Sequence, residues 1–192
     1  MYMANMKSIF MDMIKNTDMV IFNRCKKEDP LPTYRRGIKV ANQRAEVIFE
    51  DEEGELGDIF QDEMPFDMNA PVIEILPEDY GIWFVDAMDH PENYEGKTVK
   101  FKARVMKPRG MGSKFFVPGR TAMTCCADDT TFLGYVCKSA YAPKLTPGEW
   151  VEVTAKVGIE KRNEYQGEEG IVLAAEHVEQ CDPLEDEMVY FN

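Results

Sequence analysis

At 192 residues and 44% apolar composition, the chain has enough for one ordinary domain with a real core plus an extension. Its net charge of −13 argues against general affinity for nucleic acid or an acidic membrane. Five cysteines, two of them adjacent, do not make a secreted disulfide framework, so a reduced setting is the simpler expectation.

Met6, Ile9, Phe10, Met13, Ile14, Ile21 and Phe22 recur at three- and four-residue spacing and predict a helix within residues 4–25. Pro30 and Pro32 stop it. The helix reads either as a docking element for a membrane or a partner, or as one packed on its own domain. Asp12, Lys15, Asn16 and Asp18 interrupt it, so it is neither a membrane span nor a signal peptide. The expected state is soluble, cytoplasmic or membrane-associated through a partner. Residues 33–49 fit helix or strand, with strand favoured for 45–49. Residues 50–67 hold nine acids and no base, which reads as a solvated acidic linker. Residues 1–70 therefore form an N-terminal extension, α-rich or irregular.

The texture changes at Pro71. Val72 to Leu76 reads as a short strand, and Pro77 opens a helix near 78–90 whose Trp83 and Phe84 cover one end of the body. Thr98 to Met106 alternates, with Val99, Phe101, Ala103 and Val105 on one side and Lys100, Lys102 and Arg104 on the other. Phe115 to Val117 continues as strand, Pro118-Gly119 breaks or bulges it, and Thr131 to Cys137 returns. Trp150 to Lys156 and Ile171 to Val178 add two more strands. The acidic tail ends in Met188-Val189-Tyr190-Phe191, an apolar end that docks back. About five strands over 97–180, with polar turns and no repeated crossover helices, predict a mainly β fold in residues 71–192: a small OB-like antiparallel barrel.

Two constellations stand out. Cys125, Cys126 and Cys137, with Asp128 and Asp129, sit on two arms and the tip of one hairpin. Thiolates with an added carboxylate suit a thiophilic ion such as zinc, copper(I) or a trivalent arsenical. The alternative is cysteines packed as small hydrophobes above a turn that the aspartates cap. The second is a run of eight bases and no acid across residues 96–127. Lys100, Lys102, Arg104, Lys114 and Arg120, with Phe116 as a stacking ring, would suit single-stranded nucleic acid on such a barrel. The alternative is a solvated face balanced by the chain's own acids. Catalysis finds no support: His90 and His177 stand in no triad motif, and no phosphate loop is present.

Three segments, residues 93–99 (NYEGKTV), Phe116 through Ser139, and residues 150–157 (WVEVTAKV), make residues about 72–191 resemble the soluble C-terminal domain of the YcgQ-like family of bacterial permease-associated proteins. The resemblance implies an OB-type domain, usually following two transmembrane helices and often encoded beside a predicted permease. It implies a membrane permease as partner, and with no catalytic motif in the sequence the expected role is a non-enzymatic accessory one.

Overall fold

The computed structural model describes residues 9–26, 28–56, 64–123 and 130–191. The chain divides into two compact units, one of residues 1–63, 122–131 and 190–192, the other of residues 64–121 and 132–189.

In the first unit, helical turns over 9–14 precede strand β1 (Met19–Phe22), helix α1 (Leu31–Ala41) and strand β2 (Glu46–Phe49). β1 and β2 pair in parallel, Met19 opposite Glu46. Parallel neighbours need a crossover, and α1 supplies it, with Pro32 in its first turn. Met11, Ile14, Ile38 and Ala45 form the core, joined by Val20, Phe22, Ala41 and Val47. Asn42 ties the layers, its side-chain amide donating to Ile14 O at 2.9 Å and Thr17 O at 2.8 Å. The helix expected through residue 25 is corrected: by residue 19 the chain is strand. The apolar residues there alternate with period two, Val20 and Phe22 inward and Met19 and Ile21 outward, and that alternation wins over the helical spacing.

The remaining elements are β3 (Ile73–Glu74), α2 (Tyr80–Asp89), β4 (Thr98–Met106), β5 (Phe115–Met123), β6 (Thr130–Gly134), β7 (Val136–Lys138), β8 (Trp150–Lys161), β9 (Glu169–Gln180) and β10 (Met188–Val189). β4 pairs antiparallel with β5 and β8, β5 with β7, β8 with β9, and β7 runs parallel to β9. The order β4-β5-β7-β9-β8-β4 closes a five-stranded barrel, the OB-like architecture that the alternating strands predict. β3 lies outside on β4, while β6 and β10 pair with β5.

Alternation builds the core. Val99, Phe101, Ala103 and Val105 from β4 and Val151, Val153, Ala155 and Val157 from β8 are all buried. A fully buried valine or phenylalanine contributes about 1.5–3 kcal/mol. α2 brings Trp83, 1% exposed, onto Phe101 at 4.8 Å and Tyr135 at 5.6 Å between ring centroids. Phe84 stacks on Tyr135 at 4.8 Å, and Tyr80 OH donates to Leu133 O at 3.0 Å. This is the coverage expected of Trp83 and Phe84. Pro118-Gly119 does not break the strand: β5 runs through both, with Pro118 opposite Val105. The glycine is needed because a Cβ there would come within 2.3 Å of Leu133 O and 2.4 Å of the Phe132 ring.

Candidate functional site

Strand β4 turns Lys100, Lys102 and Arg104 to the outside of the barrel, because the intervening residues are held in the core. Register sets Lys100 opposite Thr154 and Lys102 opposite Glu152 on β8. The Lys100 Nζ reaches diagonally to Glu152 Oε1 at 2.9 Å. That hydrogen bond and the Glu152 charge hold the Lys100 ammonium above its usual range, with Glu74 adding to them. Further along the strand, Arg104 Nη1 lies 3.6 Å from Glu187 Oε2 and its Nε donates to Gly148 O at 3.4 Å. Lys102, half-buried, has no salt bridge among the described residues.

Beside these charges a pocket of about 180 Å³ opens between β3, β4 and the C-terminal tail. Glu74, Lys100, Lys102 and Glu152 supply its charges, and Leu76 and Leu184 its aliphatic walls. It is smaller than the cavities that enclose cofactors, about 300–1,000 Å³. It brings together a cation without a salt bridge among the described residues, an ion pair and apolar walls.

The match to the DUF1980 C-terminal domain family covers residues 55–191. The chain belongs to this family. The assignment is consistent with the resemblance to the YcgQ-like C-terminal domain. No curated protein matches. Among solved structures, the mitochondrial single-stranded DNA binding protein Rim1 of S. cerevisiae is similar at 10% identity, over 46% of this chain and 97% of that one, with a TM-score of 0.27. The aspartyl tRNA synthetase of Entamoeba histolytica is similar at 15% identity, over 62% of this chain and 27% of that one, with a TM-score of 0.31. At these scores neither likeness carries an argument here. Among the described residues, no helix is long and apolar enough to cross a membrane.

In this DUF1980 C-terminal domain the run of bases divides by role. Lys97 Nζ donates to Met68 O at 3.0 Å, and Lys107 Nζ to Ala142 O and Leu145 O at 2.5 and 2.6 Å. Arg120 lies inside, 2% exposed. Its guanidinium donates to the carbonyls of Pro77, Asp186 and Met188, and sits over the Tyr80 ring at 5.6 Å from the centroid. Burial lowers its pKa, and the hydrogen bonds are what keep a buried cation tolerable. Phe116 is fully buried beside Cys137 in the ladder, while its neighbour Phe115 carries Arg162 over its ring at 4.4 Å. Lys114 is exposed in the loop before β5.

The structure thus brings Lys100, Lys102 and Arg104 onto one face and sets Phe116 and Arg120 in the interior. Of the expected ion ligands, Cys125, Cys126, Asp128 and Asp129 lie outside the described residues. Cys137 is fully buried, and burial pushes its thiol up to about 12. At neutral pH it is a protonated core residue, whereas a metal ligand is a thiolate. Sequence reading missed Glu74, Glu152, Glu187 and Leu184. Glu152 has a signal in hindsight, since it alternates outward on a strand whose partner carries lysines.

Proposed function

We propose that this domain is a non-catalytic accessory module that binds a partner polypeptide, the membrane permease that the family resemblance implies. The observation that carries the reading is the β4 pocket, where Lys102 has no salt bridge among the described residues and stands beside a closed Lys100–Glu152 pair and two leucines. A polypeptide offers carboxylate and aliphatic groups together, and such a mixed site takes both. A nucleic-acid strand is the poorer fit, because stacking and phosphate contacts need exposed aromatic and basic groups. Here Phe116 and Arg120 are spent on the core, and Lys100 and Arg104 are met by Glu152 and Glu187. Membership of the family over residues 55–191 supports the accessory role through the permease association that the resemblance brings.

The test is direct. A permease of the kind the family resemblance implies, purified in nanodiscs, is titrated with the full chain and followed by analytical sedimentation. A stoichiometric complex with a dissociation constant at or below about 10 μM supports the reading. Independent sedimentation of the two at ten times that concentration overturns it.

A further inference from the structure

Among the described residues, strand β3 leaves one backbone edge open. Ile73 pairs with Val99 and Glu74 with Lys100, and the Ile75 N–H donates to Lys100 O at 2.9 Å. A strand ladder directs the N–H and C=O of successive residues to opposite sides. The groups of Ile73 and Ile75 therefore turn to β4, and those of Glu74 turn away from it. β3 stands last in the strand order, with no strand beyond it among the described residues. Ile73 and Ile75 are buried beneath it, whereas Val72 is 40% exposed and Leu76 47% exposed, with exposed Glu74 between them. An open edge flanked by exposed aliphatic residues is a template for another strand.

We propose that β3 is the docking edge for an extended segment of a partner protein, which adds to the sheet as a further strand. The segment carries the pattern apolar–x–basic–x–apolar on the face it shares with Val72, Glu74 and Leu76. This rests on the partner-binding reading above and names the chemistry of the partner.

The charge row selects the segment. Glu74 lies next to Lys100, whose ammonium is bonded to Glu152, so the outer face already alternates in sign across three strands. A basic residue opposite Glu74 continues the alternation, and opposite charges across a ladder are favourable. Apolar residues two positions to either side meet Val72 and Leu76. The pocket adjoins the same strand through Glu74 and Leu76 and leaves room there for a side chain.

A second copy of this chain fits less well. Two β3 strands related by a two-fold axis through Glu74 would set Glu74 against Glu74, and like charges directly opposite are destabilising. Each copy also carries a net charge of −13, which opposes self-association.

The experiment uses the full chain, labelled with nitrogen-15, and two short fluorescein peptides with Val-Thr-Lys-Thr-Val or Val-Thr-Glu-Thr-Val at the centre. Anisotropy reads affinity, and amide exchange at Glu74 reads strand addition. The lysine peptide should bind about tenfold tighter than the glutamate peptide, and Glu74→Lys should invert that preference. The Glu74 amide should exchange freely in the unbound chain and slow by at least about tenfold in the complex. Equal affinity for both peptides, or binding that leaves Glu74 exchange unchanged, overturns the proposal. So does a dimer of the unbound chain that Glu74→Lys changes. A permease complex in which the Glu74 amide still exchanges freely overturns the edge while leaving the accessory role intact. Peptide binding at Glu74 without a permease complex does the reverse.

Discussion

Strands β4 and β5 share one run of bases, yet they use it in opposite ways. β4 turns Lys100, Lys102 and Arg104 outward over an alternating apolar interior, and acids on neighbouring elements meet two of the three. β5 takes Phe116 and Arg120 inward, where the arginine joins the chain before α2 to the C-terminal tail through three carbonyls. The difference teaches that a block of like charge in sequence is not a patch of like charge in space. The outward face of β4 is mixed and centred on Lys102, not uniformly basic.

The largest expected effect lies on the β5 side. Arg120→Ala strips hydrogen bonds from three carbonyls and should cost about 4 kcal/mol in urea unfolding. It should also speed amide exchange across residues 186–189. A loss below about 1 kcal/mol would place Arg120 among ordinary surface bases. Gly119→Ala follows at about 3 kcal/mol, because a backbone carbonyl stands in the way of the new methyl.

The thiol of Cys137 sharpens the contrast through pH. Below the usual thiol range it is protonated whether the chain is folded or not. Above about pH 8.5 the unfolded chain releases that proton while the fold retains it up to about 12. Stability should therefore fall as pH rises through that window, by up to about 1.4 kcal/mol per pH unit from this group. Cys137→Ala should remove that part of the slope, while Cys181, Tyr80, Tyr94, Tyr135 and Tyr165, all raised by burial, leave a residual slope. An unchanged slope in the variant would show that Cys137 is accessible. The same variant should leave uptake of zinc by the reduced chain unaltered in native mass spectrometry, since the Cys137 side chain is enclosed in the core.

On the β4 side effects on stability are small. Glu152→Gln opens the ion pair with Lys100, and for a pair this exposed the cost should stay within about 1 kcal/mol.

What the sequence disclosed follows from range. Alternation in residues 98–106 and 150–157 is local, so strands, faces and the OB-like barrel were legible from it. The helix at 80–89 was legible too, from the shared face of Tyr80, Trp83, Phe84 and Ala87 behind Pro77. The pairing of Lys100 with Glu152 spans 52 positions and depends on register, which no local pattern carries. Arg120 misled for a related reason: its partners are backbone carbonyls at residues 77, 186 and 188, and a carbonyl leaves no mark on composition. At the N-terminus, apolar residues over 19–22 satisfied both a helical and a strand period, and pairing with β2 decided between them.

Two charge reversals, measured side by side for affinity to a permease of the kind the family resemblance implies, test the proposed partner role of the β4 pocket most directly. Lys102→Glu lies in the pocket, and Lys114→Glu lies in the exposed loop before β5. Lys102→Glu should weaken binding about tenfold or more, while Lys114→Glu should change it less than twofold. Equal losses from both, with matching losses in binding of a single-stranded oligonucleotide at low salt, would contradict the partner role and return the run of bases to a nucleic-acid role.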